Sequence, residues 1–563
     1  MVTPRLAEEK LAVGSPARTD APLPPDATAE FRVPGSLRAP SQRSTKSAVP
    51  PARPAYAPVP LPPTDDEKFL YRKRRLAPLM LFSFVSFGSL VVSQVLFLRL
   101  APALLLLTPL LLFTLAYYVI SVVVNLFTPS FDVKEHRRLV AEWKPERYPP
   151  VDVFLPVCGE PPHVLANTWE YVRQMATYYG GNVTVYVLDD SPTEDMERMA
   201  LAFNFVYQRR PNRGWYKKAG NMRYAFERTL GDFILVLDAD FSPRHDMLDE
   251  MLPYMDADPT LGIVQSPQFF RVHKGQGWVE RGAGTVQELF YRSVQVSRQH
   301  HDAAICVGSC ALYRRAALDD IGGSTLIEHS EDVHTGFDLR MKGWHLKYIP
   351  VALAAGLCPG DVDSFFTQQY RWCAGSMSLL GSKKFWQTKL RLRSRLSYVS
   401  GFCYYLHTGI FTVAGPIIPL VMLLFFPEEM AVTNYLLIVP SVIYNLVLFP
   451  LWHRSKYGLE AWTVKLLYGW AHLYAVYDIL RGRQMGWQPT GGKAKKNRTA
   501  RLWNGLRYWT AGVGLVWVAL AGYRMMGGDA LIFAPAMLSG LFFLSIVAQA
   551  LLVDPRKDVE VVM

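Results

Sequence analysis

Two pairs of carboxylates follow apolar segments of the kind that form buried strands. They are Asp189 with Asp190 after residues 183–188, and Asp238 with Asp240 after residues 233–237. In α/β sheets ligands bind beyond the carboxyl ends of the strands, so we expect both pairs to meet in one crevice. Paired carboxylates suit a hard divalent cation, which in turn neutralises a diphosphate. Either pair alone could simply mark the end of a strand, whereas together they favour a site for a metal ion and a diphosphate.

A lysine close to a glycine supplies a further candidate for contact with phosphate. Lys218 begins the sequence Lys-Ala-Gly-Asn, just before a helix expected at residues 222–230. A lysine and a closely approaching backbone at such a position suit contact with a nucleotide or its phosphate. The pattern is weak by itself, because a helix preceded by Gly-Asn is common.

Two motifs further along the chain add an acid, an arginine and a tryptophan. Asp332 lies in Ser-Glu-Asp at the start of a helix expected to end near residue 342, where a carboxylate is most often a cap. In the run that begins at Gln368, Arg371 could pair with a diphosphate, and Trp372 offers a flat apolar face to a sugar ring. The alternative for this second motif is a helix at a membrane interface with snorkelling Arg and Trp.

The residue pattern of the segment 131–385 is typical of an α/β domain. Short β-branched runs alternate with helical patterns, and they lie at residues 151–157, 183–188, 233–237 and 262–265. Continuous apolar runs of this length, separated by helices, indicate buried strands of a mostly parallel sheet. The predicted sheet therefore places both carboxylate pairs at one edge.

Apolar stretches on both sides of this segment predict a membrane protein. Half of the residues are hydrophobic and 19% are charged, against roughly 25% charged residues in soluble domains. Six stretches suit the ~20 residues of a membrane-spanning helix, and they are residues 77–98, 102–126, 400–426, 433–452, 506–525 and 530–553. Residues 459–484 mix aromatic residues with charges at helical spacing, which predicts a helix that lies in the membrane interface.

The formal net charge of +12 is concentrated in clusters of Lys and Arg beside the apolar stretches. Such clusters mark the cytoplasmic ends of membrane helices, so the charge predicts topology rather than nucleic-acid binding. Residues 1–66 are rich in Pro, Ala, Ser and Arg and predict a disordered cytoplasmic tail. The six cysteines show neither metal-ligand spacing nor a disulfide pattern.

The order of these motifs resembles processive family 2 glycosyltransferases, above all the catalytic subunits of bacterial cellulose synthases. The resemblance covers roughly residues 70–553. It implies a glycosyltransferase domain of GT-A type, with a mixed and mostly parallel sheet, inserted in an α-helical multi-span membrane domain. The expected units are a tail at 1–66, a membrane hairpin at 77–126, a cytosolic catalytic domain at 131–385, membrane and interfacial helices at 386–484, a gating loop at 485–499 and membrane helices at 500–553.

The resemblance also implies a role for each motif at the donor side. Asp189 and Asp190 would lie at the uridine and diphosphate end of a bound UDP-sugar, and Lys218 would bind the same substrate. Asp238 and Asp240 would hold the donor diphosphate and its Mg²⁺ or Mn²⁺.

At the acceptor side, the resemblance makes Asp332 the general base. The pyrophosphate and the acceptor end of the polymer would be bound by Gln368, Arg371 and Trp372. Trp487 and Thr490 match a mobile loop that closes over the donor. Three positions depart from the usual family pattern, namely Val307, Ser330 and Gln369.

We therefore expect a processive, inverting transferase that polymerises sugar from a UDP-sugar, UDP-glucose first, into a β-linked polysaccharide such as cellulose or a related β-glucan and exports it. Two alternatives stay open: a membrane transferase that adds one sugar to a lipid, and a synthase of chitin or hyaluronan type that uses UDP-N-acetylglucosamine. A nucleotide-binding transporter is disfavoured, because the chain has no Gly-x-x-x-x-Gly-Lys-Ser/Thr loop.

The expected location is the inner (plasma) membrane, with several spans and a cytoplasmic catalytic domain. The expected partners are the UDP-sugar donor, the growing polysaccharide, the lipid bilayer and accessory export subunits, but no nucleic acid. Because about ten residues follow the last predicted span, cyclic di-GMP is not expected to bind.

Overall fold

The computed structural model describes residues 59–72, 76–100, 102–125, 128–191, 195–483, 496–528 and 530–554. Most of the expected tail at residues 1–66 lies outside this range. Most of the expected loop at residues 485–499 also lies outside it, including Trp487 and Thr490.

A segment of residues 59–72 precedes the first membrane hairpin. It contains a one-turn helix, α1 (Asp65–Lys68), whose N-terminus is closed by a capping box between Thr64 and Glu67. The hairpin consists of α2 (Leu76–Leu100), a 3-10 helix (Pro102–Leu107) and α3 (Thr108–Asn125). Many large apolar side chains of α2 and α3 are exposed, which is typical of helices that contact lipid.

In the described part of the α/β domain, ten strands form two sheets. They are β1 (Val151–Val157), β2 (Val183–Asp189), β3 (Val206–Gln208), β4 (Phe233–Val236), β5 (Ser242–Pro243), β6 (Leu261–Gln265), β7 (Gln268–Phe270), β8 (Ala311–Arg314), β9 (His345–Tyr348) and β10 (Ala354–Gly356). The seven-stranded sheet has the order β3-β2-β1-β4-β8-β6-β9, and the three-stranded sheet has the order β5-β10-β7. In the larger sheet only β8 runs antiparallel to its neighbours, so the predicted mixed and mostly parallel sheet is confirmed.

The parallel register brings three strand ends to the same edge of the larger sheet. β1 lies between β2 and β4, and Val157 at the end of β1 is paired with Asp189 at the end of β2. The strands form where predicted, because β1 and β4 consist mostly of apolar residues and are buried on both faces.

Eleven α-helices belong to the α/β domain among the residues that the structure describes. They are α4 (Val133–Glu142), α5 (Pro162–Tyr178), α6 (Asp195–Ala202), α7 (Lys217–Phe226), α8 (Met247–Ala257), α9 (Trp278–Leu289), α10 (Gln295–His300), α11 (Arg315–Asp319), α12 (Glu331–Met341), α13 (Val362–Leu380) and α14 (Lys383–Gln387). A π-helix (Phe290–Val294) joins α9 to α10.

Helix α7 begins and ends earlier than the predicted 222–230. The two residues before Lys218 adopt left-handed backbone conformations, with φ of 46° and 48°. Arg210 holds this turn, because its guanidinium donates hydrogen bonds to the carbonyls of Trp215 (2.6 Å) and Lys217 (2.9 Å). Lys218 therefore lies in the first turn of the helix rather than before it.

The C-terminal half of the membrane part contains helices of very different lengths. They are α15 (Leu392–Phe425), α16 (Val432–Leu436), α17 (Val439–Ile443), α18 (Phe449–Trp452), α19 (Leu459–Leu480), α20 (Lys496–Gly527) and α21 (Ala530–Leu552), with a 3-10 helix (Pro427–Glu429) before α16 and a π-helix (Tyr444–Leu448) before α18. In the described part of the chain, four helices are long and apolar enough to cross a membrane, and they are Leu76–Leu96, Leu105–Asn125, Leu392–Phe425 and Ala530–Leu552.

Two of the six predicted spans differ from this result. In the segment 433–452, α16 ends at Leu436 and a continuous apolar helical stretch runs from Val439 to Trp452, with the π-helix inside it. Pro440 lies in the first turn of this stretch, where its missing N–H is tolerated. The stretch is shorter than the ~20 residues that a span needs. The segment 506–525 lies within α20, which also carries Arg507 and Arg524 and packs along α21.

The predicted interfacial helix at 459–484 is instead enclosed by other helices. α19 packs against α9, α13, α15 and α21. On one side Val464 and Leu467 join the core of the α/β domain, and on another Trp470 packs in a cluster with residues of α13 and α15. α19 therefore connects the catalytic domain to the membrane helices.

Replacing Gly282 tests the contact between α9 and α19. A Cβ at Gly282 would lie 2.5 Å from the carbonyl oxygen of Glu460 and 2.7 Å from a methyl group of Val464. Gly282→Ala should lower the free energy of unfolding by about 1–3 kcal/mol through overpacking. The measurement is the midpoint of thermal unfolding in detergent, with Gly415→Ala as control, because nothing lies within 4 Å of a Cβ at that position. Equal midpoints for the two variants would contradict this packing.

Candidate active site

A cavity of about 1120 Å³ lies between the α/β domain and the membrane helices. Its lining includes most residues to which the sequence assigns a chemical role, namely Asp190, Lys218, Asp238, Asp240, Asp332, Gln368, Arg371 and Trp372. Asp189 does not line this cavity, and Trp487 and Thr490 lie outside the described residues. The fold thus brings together motifs that are far apart in the sequence.

The two carboxylates after β2 have different surroundings. Asp189 is fully buried and accepts hydrogen bonds from the N–H of Ser191 and the hydroxyl of Tyr207, both at 2.7 Å. Asp190 lines the cavity and accepts two hydrogen bonds from the guanidinium of Arg210, at 2.8 and 2.5 Å. Both oxygens of Asp189 therefore hold the turn beyond β2, and its predicted contact with the donor stays a prediction. Asp190 lines the cavity, and its negative charge is paired with the guanidinium of Arg210.

Three carboxylates lie together at the ends of β1 and β4. Asp238 and Asp240 follow β4, while Glu160 follows β1 and accepts a hydrogen bond from the N–H of Cys158 (2.7 Å). Burial, followed by the negative charges of Asp238 and Glu160, raises the pKa of Asp240 to about 8. Burial also raises the pKa of Glu160. The crevice therefore concentrates negative charge and favours a cation.

Sequence reasoning missed Glu160, although a signal was present. Glu160 follows the predicted strand 151–157 in the same way that the two aspartate pairs follow their strands. Because it is a single carboxylate three residues beyond the strand, it does not form a pair in the sequence. It joins the other carboxylates only through the parallel pairing of β1 with β4.

In the part of the chain that the structure describes, no group of three or more His, Cys, Asp or Glu side chains is arranged to hold a metal ion. Mg²⁺ often needs only one or two carboxylates, because substrate phosphates and water complete its coordination. Burial and then repulsion by Asp238 and Glu160 raise the pKa of Asp240, and a bound cation would offset the repulsion. Asp238 and Asp240 therefore fit an ion that is shared with a donor phosphate.

Lys218 bridges Asp238 and the loop that contains Gly308. Its ammonium donates hydrogen bonds to Asp238 (2.5 Å) and to the carbonyl of Gly308 (2.6 Å). Burial works against its charge, but the carboxylates of Asp238 and Glu331 outweigh burial and raise the pKa of Lys218. This lysine is therefore a permanent positive charge in the crevice.

Asp332 lies in the first turn of α12 and contacts the same loop. Its Oδ1 accepts a hydrogen bond from the N–H of Val333 (2.8 Å), and its Oδ2 lies against Gly308, where an added Cβ would be 2.7 Å away. Burial, together with the charge of Glu331, raises the pKa of Asp332 to about 7. A carboxyl group with this pKa can accept and release a proton near neutral pH.

Two buried glutamines hold the loop at residues 306–310. Gln265 donates a hydrogen bond to the carbonyl of Ser309 (2.8 Å) and accepts one from the N–H of Val307 (3.1 Å). Gln268 donates to the carbonyl of Val307 (3.0 Å). Sequence reasoning missed both glutamines, because nothing in the sequence relates the end of a strand to a loop so distant along the chain.

Helix α13 presents three cavity-lining residues at i, i+3 and i+4 spacing, namely Gln368, Arg371 and Trp372. Burial lowers the pKa of Arg371, while the charges of Glu331 and Asp238 oppose this change. The guanidinium of Arg371 therefore lies close enough to Glu331 and Asp238 for their charges to act on it. The neighbouring Tyr370 ties α13 to α19, because its hydroxyl donates a hydrogen bond to Asp478 (2.8 Å).

The cavity continues from these residues into the membrane part. Its lining there is rich in hydroxyl groups and aromatic rings, including Tyr117, Ser121, Ser397, Ser400, Tyr404 and Tyr468. Aromatic faces combined with a few polar groups are typical of pockets that bind organic ligands.

Comparison with known proteins identifies a family domain in the chain. Residues 233–452 match the family described as Glycosyl transferase family group 2. Cellulose synthase 1 catalytic subunit (UDP-forming) of Komagataeibacter xylinus is 32% identical over 260 residues, which are 46% of this chain and 35% of that protein. The cellulose synthase catalytic subunit (UDP-forming) of Pseudomonas fluorescens is 30% identical over 311 residues, 54% of this chain and 41% of that protein. The chain spans less than half the length of these curated relatives.

Solved structures show weaker likenesses. The mannosyltransferase PcManGT from Pyrobaculum calidifontis, in complex with GDP-Man and Mn²⁺, has a TM-score of 0.46 and 16% identity, over 66% of this chain and 98% of that chain. Glucosyl-3-phosphoglycerate synthase from Mycobacterium tuberculosis, in complex with Mn²⁺, UDP and glucosyl-3-phosphoglycerate, has a TM-score of 0.32 and 16% identity, over 45% of this chain and 85% of that chain. Likenesses this weak do not indicate what the present chain binds.

The matched family region contains β4 with its two aspartates, the helix start at Asp332 and the three cavity-lining residues of α13. The order of motifs predicted the same family from the sequence, and the prediction is confirmed. This chain carries a family 2 glycosyltransferase domain and resembles the processive members of that family, the bacterial cellulose synthase catalytic subunits in particular.

Proposed function

We propose that this protein is a processive, inverting glycosyltransferase that polymerises a UDP-sugar, UDP-glucose in the first place, into a β-linked polysaccharide such as cellulose or a related β-glucan and exports it. The observation that carries the proposal is the continuity of the cavity between the carboxylates of the α/β domain and the membrane helices. The relatives named as UDP-forming cellulose synthase subunits support UDP as the leaving group.

The donor diphosphate is proposed to bind beside Asp190 and the carboxylates at the end of β4. Asp238 and Asp240 would hold Mg²⁺ or Mn²⁺, which when bound offsets the charge of the diphosphate and favours its departure. The charges of Lys218 and Arg371 both act on Asp238. These two cations are therefore placed to stabilise the negative charge that develops on the leaving UDP.

Asp332 is proposed to remove the proton of the acceptor hydroxyl as that hydroxyl attacks the anomeric carbon from the face opposite UDP. A single displacement of this kind converts an α-linked donor into a β-linked product and needs no covalent intermediate. The pKa of Asp332, about 7, suits a base that must be regenerated at neutral pH. Positioned proton transfer of this kind typically contributes roughly 10²- to 10⁴-fold in rate.

Trp372 and Gln368 are proposed to bind the acceptor end of the polymer. Beyond them the product would pass along the hydroxyl- and aromatic-lined part of the cavity. A polymer held there after each addition stays in place for the next one, which makes synthesis processive. Four apolar helices support a membrane location, and we propose that the catalytic domain faces the cytoplasm at the inner (plasma) membrane.

Asp332→Asn tests the proposed base. The variant should lose polymer synthesis by roughly 10²-fold or more, because the amide cannot accept the proton. UDP binding, measured by calorimetry on the same protein in detergent, should be nearly unchanged. Asp338→Asn is a matched control on the same helix, since Asp338 pairs with Lys384 and does not line the cavity. Substantial turnover by Asp332→Asn would remove Asp332 from this role.

The pH dependence of the wild-type rate is a second test of Asp332 as the base. A carboxyl group with a pKa of about 7 is basic above that pH and protonated below it. The kcat should therefore fall as the pH decreases through about 7, well above the range of an ordinary aspartate. A kcat that stays constant down to about pH 5 contradicts the assignment.

Removal of divalent cations tests the proposed metal ligands. Synthesis should stop in EDTA and return when Mg²⁺ or Mn²⁺ is added. Asp240→Asn should raise the Mg²⁺ concentration for half-maximal rate by roughly tenfold or more, as expected for loss of a group that supports a metal. Glu227→Gln, which changes an exposed carboxylate beyond α7, is the control. Full synthesis in excess EDTA would rule out this use of the carboxylates.

A further inference from the structure

A basic surface with exposed apolar side chains lies at the start of the membrane helix α15. Residues 381–399 contain six Lys or Arg residues and no Asp or Glu. Four of these cations are exposed, and a tryptophan and a leucine are exposed among them. We call this surface the α14 patch, and it consists of Lys383, Trp386, Lys389, Arg391, Leu392 and Arg393.

The two other cations of the segment already have partners inside the protein. Lys384 forms an ion pair with Asp338 (2.6 Å), and Arg395 donates a hydrogen bond to the carbonyl of Thr388 (2.8 Å). The four exposed cations form no ion pair with a carboxylate among the residues that the structure describes. Their charges are therefore available to a ligand outside the protein.

The packing of α14 determines which way the patch faces. Phe385 is fully buried, and its ring centroid lies 5.8 Å from those of Phe337 on α12 and Tyr398 on α15. The next residue, Trp386, is 52% exposed. Because Phe385 fixes α14 on the protein, Trp386 and the neighbouring cations are held on the outside.

Hydrogen bonds place the start of α15 level with the end of α3, another helix that is long and apolar enough to cross a membrane. Ser394, in the first turn of α15, donates a hydrogen bond to the carbonyl of His301 (2.5 Å). The ring of the same histidine donates one to the carbonyl of Val124 (2.9 Å), next to the last residue of α3. The α14 patch therefore lies where both helices reach the end of their apolar length. This side of the membrane helices also carries the α/β domain, because that domain joins α3 to α15.

The composition of the patch selects among ligands. Lys and Arg form charge-assisted hydrogen bonds with phosphate. A free phosphate ion would use these cations but not the exposed Trp386 and Leu392, whereas a lipid uses both, since Trp favours the headgroup level and apolar side chains enter the acyl boundary. A zwitterionic headgroup carries a cation of its own, so four unpaired cations attract it less than an anionic headgroup.

We propose that the α14 patch binds anionic phospholipid headgroups in the leaflet that faces the α/β domain. The inference goes beyond the proposed function, because it concerns the bilayer around α15 and holds whatever sugar the α/β domain transfers. It assigns the four cations to the headgroups, Trp386 to the interface and Leu392 to the acyl boundary.

Lipid binding to the full chain in detergent, measured by native mass spectrometry, tests this surface. The wild type should bind phosphatidylglycerol at least about tenfold more tightly than phosphatidylcholine, because each cation near an anionic headgroup adds to the attraction. A fourfold variant should lose this preference, and it combines Lys383→Gln, Lys389→Gln, Arg391→Gln and Arg393→Gln. Inorganic phosphate at millimolar concentration should not displace the lipid from the wild type.

A control variant with the same change in net charge shows whether the position of the cations matters. It removes exposed cations of the α/β domain, by Lys144→Gln, Arg173→Gln, Arg198→Gln and Arg228→Gln. The control should keep the preference for phosphatidylglycerol within about twofold of wild type. If the fourfold variant unfolds, Arg391→Gln with Arg393→Gln should still weaken binding of phosphatidylglycerol, by less than the full set.

Three outcomes overturn the proposal. The first is equal binding of the two lipids by the wild type, which would leave the patch to another partner such as an acidic protein. The second is an equal loss of preference in the control and in the folded patch variants, which would reflect net charge alone. The third is displacement of the lipid by inorganic phosphate, which would show that the cations bind a free anion.

Discussion

Asp238, Asp240 and Glu160 lie partly buried at neighbouring strand ends. Burial, followed by the charges of Asp238 and Glu160, raises the pKa of Asp240 to about 8. The parallel pairing of β1 with β2 and β4 makes this crowding unavoidable, because parallel strands end at the same edge. The cations of Lys218 and Arg371 offset part of the charge. The remaining negative charge favours a divalent cation at this edge of the sheet.

Helices α12, α13 and α19 connect the carboxylate site to the membrane helices. Asp332 on α12 contacts the loop that receives Lys218, and α13 adds the three residues that face the same cavity. The hydrogen bond from Tyr370 to Asp478 fixes α13 to α19, which in turn packs on α9 and α15. These contacts join the carboxylates and the membrane-side cavity in one packed frame. In the proposed function, each addition would occur at the entrance of the space that receives the product.

The sequence predicted the strands and their carboxylate pairs well, because buried parallel strands are continuous apolar runs with polar residues at their ends. It could not show that Asp189 is used within the protein or that Glu160 joins the site, because both depend on which strands are neighbours. The break after α16 within residues 433–452 and the enclosure of α19 were also missed. An apolar composition predicts that a helix is shielded from water. It does not predict whether lipid or other helices shield it.

The central claim is that the donor crevice and the membrane-side cavity form one path for the polymer. It is tested most directly in proteoliposomes in which the catalytic domain faces outward and radiolabelled UDP-glucose is supplied outside. The account predicts that labelled polymer accumulates inside the vesicles, where an added glucan hydrolase digests it only after detergent is introduced. Polymer that is fully digested in intact vesicles would show that synthesis and membrane passage are separate, contrary to this account.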